Sequence, residues 1–181
     1  MKTPTFGRTS ALKHIRSCIF GLSPAINLAY SGAALSANTG NVILRDKDNA
    51  ICNLPAPPPG TRKLYSFENG TIPAPSACKD WNNKARSIQL AEVPSTTFII
   101  LANRGNCASA DAPWLHLQAI NKNTSTKIIE IEYLATFQAN QIIQKGLQLV
   151  RSNPGTDIRD KISCVSIETS ATPSSSSTAT P

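Results

Sequence analysis

The chain has 181 residues, with 18 Lys and Arg against 11 Asp and Glu and a formal net charge of +7. Four of those cations, Lys2, Arg8, Lys13 and Arg16, fall in Met1–Ala37, which carries no acid, so the remainder holds 14 cations against 11 acids, a charge of only +3. That excess is spread thinly, with no basic cluster interleaved with aromatics, which excludes a nucleic-acid footprint.

Met1–Ala37 reads as an export signal. Its cations precede the apolar run Cys18-Ile19-Phe20-Gly21-Leu22, and the small residues of Ser31–Ala37 supply processing sites. Ser23-Pro24 and Asn27 interrupt the pattern, which leaves a transit peptide and a plain N-terminal arm as alternatives. The run is shorter than the roughly 20 residues a bilayer crossing needs. No other apolar run exceeds Phe98–Ala102, so no transmembrane segment is expected. Secretion to the periplasm or the extracellular space is therefore expected, with one domain over 38–168, about one hydrophobic core's worth of chain.

Within that domain Val42–Arg45 and Lys63–Phe67 are the weaker strand candidates. Between them Leu54–Gly60 is a polyproline-like connector that cannot enter a sheet interior. Ala85–Val93 alternates Ile88 and Leu90 with Ser87, Gln89 and Ala91, and Thr96–Ala102 is a compact β-branched and aromatic run. Trp114–Ile120 sets Leu115, Leu117 and Ala119 on one face against Trp114, His116 and Gln118 on the other. Lys127–Phe137 gives the strongest strand signal, with Ile129, Ile131, Tyr133, Ala135 and Phe137 in phase against Glu130 and Glu132. Ala139–Val150 carries both periods and leaves room for one short helix, but Gly146 tilts it toward strand. Lys161–Ile167 closes the series, and about seven short strands between Pro, Gly and Asn punctuation predict an all-β sandwich or barrel. Thr169–Pro181 is a Ser/Thr/Pro tail without the side chains to offset its ordering entropy, so it is expected to be disordered. Asn69-Gly70-Thr71 and Asn123-Thr124-Ser125 are sequons for N-glycosylation in a eukaryotic secretory pathway.

Cys52, Cys78, Cys107 and Cys164 form an even set, and in an exported domain two disulfides are their expected use. The spacings of 26, 29 and 57 residues suit neither a zinc site nor a redox pair. Of the three possible connectivities, Cys52–Cys164 with Cys78–Cys107 is preferred, since the first would tie the ends of the domain together. Catalysis is not expected. His116 is the one imidazole outside the leader and lies mid-strand, and Glu130 with Glu132 reads as a solvated face before it reads as a carboxylate pair.

Asp80–Ile88 and Asp157–Val165 share a pattern 77 residues apart: polar turn residues, a lysine, then a small residue opening a strand. Asn82, Asn83 and Ser87 in the first copy, and Asp160 and Ser163 in the second, resemble the Asn/Asp-Asn/Asp-x-x-Ser/Thr-Ser turn of the βγ-crystallin superfamily. The resemblance implies a two-motif Greek-key β-sandwich and a pair of calcium sites at Asn82, Asn83, Asp160 and Ser163. Arg86 and Arg159 depart from the pattern by placing cations in or beside that cage, which opposes a divalent ion; no other cofactor is expected. Three functions fit this reading. The first is a binding module for a protein or glycan partner, with Trp81 and Trp114 as core residues or contact platforms. The second is an inhibitor of a secreted enzyme or toxin presenting Leu54–Gly60 or Asn103–Pro113. The third is a structural, calcium-stabilised protein of crystallin type.

Overall fold

The computed structural model describes residues 40–68, 75–107, 113–153, 155 and 157–171, all of them in the compact unit Ala37–Pro181. The segment expected to be an export signal, the Asn69 sequon, residues 108–112 and the residues beyond 171 lie outside the described residues. Among the described residues no helix is long and apolar enough to cross a membrane.

The chain is all-β. Its strands are β1 (Asn41–Arg45), β2 (Ile51–Pro55), β3 (Thr61–Ser66), β4 (Ser87–Ala91), β5 (Val93–Pro94), β6 (Thr97–Ala102), β7 (Trp114–Ala119), β8 (Asn123–Thr124), β9 (Ile129–Glu130), β10 (Ile142–Gln144), β11 (Leu147–Asn153) and β12 (Cys164–Thr169). A single turn of α-helix, α1 (Ile131–Leu134), follows β9. One antiparallel sheet has the order β2-β1-β4-β9, the other β10-β11-β7-β6-β12-β3, and β5 pairs with β8 in a small ribbon. The two larger sheets pack as a sandwich because alternation gives each an apolar inner face. Val42, Leu44, Leu54, Ile88 and Leu90 from the first join Ile99, Leu101, Leu115, Leu117, Leu149, Val165 and Ile167 from the second in one buried cluster.

The sandwich is built from two interlocked halves. β1, β2 and β4 of the first half share a sheet, but its third strand, β3, pairs with β12 in the other sheet. β6, β7 and β12 of the second half share a sheet, but its third strand, β9, pairs with β4. Equivalent hydrogen bonds repeat. Arg86 N donates to Arg45 O and Ser163 N to Ala102 O, both at 2.8 Å, while Ile131 N donates to Arg86 O and Phe67 N to Ser163 O, again at 2.8 Å. The turns before β4 and β12 match as well, with Asn83 at φ 57° and Asp160 at φ 54°. β10 and β11 are additional to this repeat and extend the second sheet.

The expectations for Lys127–Phe137 and Leu54–Gly60 are corrected. Lys127–Phe137 is not one strand: the chain leaves the sheet after Glu130, and Ile131 and Leu134, three apart on α1, both point into the core. Glu130 and Glu132 therefore do not share a strand face, and Glu132 instead pairs with Arg159 at 3.3 Å. Leu54 and Pro55 belong to β2, where proline is tolerated because β2 is an edge strand. Ala139–Val150 keeps the strand reading, as the β10–β11 hairpin turning at Gly146 with φ 91°. β12 runs through Thr169, buried between Thr97 and Thr61.

The four cysteines among the described residues are paired, as Cys52–Cys78 and Cys107–Cys164. Cys52–Cys164 is excluded by orientation. Cys52 lies in the inner row of the first sheet opposite Leu44, whereas Cys164 faces outward beside Ala102 and Trp114 on the second. Each bridge lies within one half, with Cα–Cα distances of 5.1 and 5.3 Å.

Candidate functional site

The register of the second sheet writes its outer face as three rows across β11, β7, β6, β12 and β3. The first is Gln148, Gln118, Phe98, Glu168 and Arg62; the second Arg151, His116, Ile100, Ser166 and Leu64; the third Asn153, Trp114, Ala102, Cys164 and Ser66. In the third row Cys107 brings the segment after β6 against Ala102 and Cys164, with Leu64, Ile100 and Trp114 packed around them. The first two rows carry a cavity of about 240 Å³ lined by Arg62, Phe98, Ile100, His116, Ser166 and Glu168.

The polar groups of this cavity are only partly matched to one another. Arg62 Nε donates to Ser166 Oγ at 2.8 Å, two strand positions from Glu168, its direct cross-strand neighbour. Arg62 and Glu168 form no ion pair with each other. His116 stacks obliquely on Phe98 with centroids 5.4 Å apart, and its Nδ1 is buried with no hydrogen-bond partner among the described residues. Burial pushes its pKa below the ordinary 6.5, Arg151 acts in the same direction, and Glu168 opposes them, so the ring is neutral at pH 7. Trp114 sits one row away, half-buried, with the Arg151 guanidinium 5.5 Å from its ring. Trp81, by contrast, is only 6% exposed and belongs to the core.

Of the residues singled out for calcium, Asn83, Asp160 and Ser163 lie at the junction of the two halves. Ser163 Oγ donates to Asn83 Oδ1 at 3.2 Å. At the equivalent position of the other copy, Arg86 donates through Nε and Nη2 to the two carboxylate oxygens of Asp160. Asn82 is exposed. A cavity of about 360 Å³ beside them is lined by Asp46, Lys47, Asp48, Asn83, Lys84 and Asp160. Its carboxylates already have partners: Asp46 accepts the backbone N–H groups of Asp48 and Ala50, each at 2.8 Å, and Asp48 pairs with Lys47 at 2.7 Å. A divalent ion at Asp160 would have to compete with the Arg86 guanidinium. Among the described residues no group of three or more His, Cys, Asp or Glu is placed to hold a metal.

Reading the sequence singled out His116 and Trp114 but missed Arg62, Phe98, Ile100, Ser166 and Glu168. Alternation within Thr97–Ala102 puts Phe98 and Ile100 opposite Ile99 and Leu101, which was a usable signal; the cross-strand partners depend on a register that no local pattern states. No family model, curated protein or solved structure matches the chain.

Proposed function

We propose that this chain is a secreted, non-enzymatic binding module that holds a protein or glycan partner on the outer face of its six-stranded sheet. The observation that carries the reading is the cavity over Phe98 and Ile100, where rings and aliphatic groups adjoin an Arg, a Ser and a Glu. An outward sheet face with no binding role is ordinarily polar throughout. Apolar surface with a few convergent polar groups is instead the usual composition of a binding site. Two disulfides support an oxidising compartment.

The test is a saturation-transfer screen of small uncharged organic fragments against the wild type and Phe98→Ala/His116→Ala. Fragments binding the wild type and losing most of their signal in the variant is the expected result; equal signals in both would overturn the reading.

A second reading, a structural protein of crystallin type, is supported by the exchange of β3 and β9 between the sheets and by the repeated turns at Asn83 and Asp160. It expects the melting temperature to rise on adding calcium and to fall again with chelator, because an ion bound only to the folded state stabilises it. A melting curve indifferent to both would remove its calcium-stabilised form.

A further inference from the structure

We infer that the cavity over Phe98 takes a single uncharged pyranose ring of a glycan; this rests on the reading of the sheet face as a binding surface. At about 240 Å³ it falls below the ~300–1,000 Å³ of pockets that enclose drug-sized molecules, so its occupant is one ring of a longer chain or a small molecule of that size. The floor is apolar, made by the Phe98 ring and Ile100, and matches a flat face of C–H groups. The rim holds a charged donor and a charged acceptor side by side. Arg62 spends only Nε on Ser166, which leaves its terminal amino groups to a ligand. Glu168 offers a carboxylate that makes no ion pair with Arg62.

That pairing selects against a ligand of either sign, because an anion drawn to Arg62 meets Glu168 and a cation drawn to Glu168 meets Arg62. It suits a neutral molecule whose groups both donate and accept. Vicinal hydroxyls do this, and a guanidinium and a carboxylate each engage two neighbouring oxygens at once. The His116 ring, stacked obliquely on Phe98, completes the lining. Along the same row Gln118 and Gln148 extend planar amides from Phe98 across two more strands, about 10 Å, which places polar contacts beyond the first ring. A protein partner fits this centre less well, since carboxylates such as that of Glu168 are depleted from the cores of protein interfaces.

The test is calorimetric titration of the full chain with methyl hexopyranosides of the gluco, manno and galacto series, with N-acetylglucosamine, and with their linear tetramers. At least one series is expected to bind, the tetramer at least tenfold tighter than the monomer. Phe98→Ala and Glu168→Gln should each weaken it tenfold or more, with melting temperatures confirming that both variants fold. Binding that survives both substitutions would overturn the assignment. So would the absence of any saccharide binding: if the uncharged fragments still collect on the cavity, the glycan assignment fails and the binding face stands, and if they do not, both fail.

Discussion

Tyr65 buries its ring in the core while its hydroxyl donates to Pro55 O at 2.6 Å. That bond pins the last residue of the edge strand β2 to the core side chain of β3. Tyr65→Phe should cost about 1–3 kcal/mol in denaturant unfolding; an unchanged midpoint would show that water replaces the bond. Burial also pushes the phenol up to about 12. His116 gives the converse case. Its folded pKa lies below the ordinary value, so the neutral form is preferred in the fold. The associated stability is complete above about pH 6.5 and is lost as pH falls through the folded pKa. His116→Gln should therefore flatten the stability profile below pH 6.5 relative to wild type, and identical profiles would contradict this. Gly40, at φ 73°, is the sharpest steric constraint, since a Cβ there would lie 2.4 Å from Glu92 O. Gly40→Ala should destabilise by about 2 kcal/mol or more, combining left-handed backbone strain with a clash against main chain; a loss under 0.5 kcal/mol would contradict it.

At the scale of elements, the strands with clean alternation were legible. Leu115, Leu117 and Ala119 lie inward and Trp114, His116 and Gln118 outward, as the period of two requires. Lys127–Phe137 misled because its odd positions are apolar from Ile129 to Phe137, which fits a strand, while Leu134 was the dissenting residue within that run. Ile131 with Leu134 is a helical i, i+3 pair, and tertiary packing chose that pair over continued alternation. β2 was hidden because its first residues follow Asp and Asn punctuation and its last is proline; only its place at a sheet edge makes that composition workable. The β10–β11 hairpin depends on Gly146, whose φ of 91° disfavours any side chain and whose Cβ would meet Asn121 and Thr124. Gly146→Val should lower the stability of the domain and speed hydrogen exchange across Leu147–Val150 first. Uniform protection across β7 and β11 would contradict it.

Across the whole molecule, the two halves are held together by exchanged strands and a common core, with no disulfide between them. The Arg86–Asp160 ion pair and the Asn83–Ser163 hydrogen bond brace the same junction. The resemblance of the two turns was legible as a 77-residue repeat. The exchange of β3 and β9 was not, because pairing partners are set by long-range register and leave no local trace. Restricting the unfolded chain through loops of 26 and 57 residues should make the bridges worth about 3.5 and 4 kcal/mol. Reduction should therefore lower the melting temperature strongly, and Cys107→Ser/Cys164→Ser should do so more than Cys52→Ser/Cys78→Ser; the reverse order would show that strain or residual unfolded structure outweighs loop length. The most direct test of the binding face is a backbone amide spectrum of the full chain recorded during titration with the bound fragments or saccharides, which reports both outer faces of the sandwich at once. Shifts gathered on Arg62, Phe98, Ile100, His116, Ser166 and Glu168 are the predicted result, and shifts centred on the outer face of β1, β2 and β4, or on the sheet edges, would contradict it.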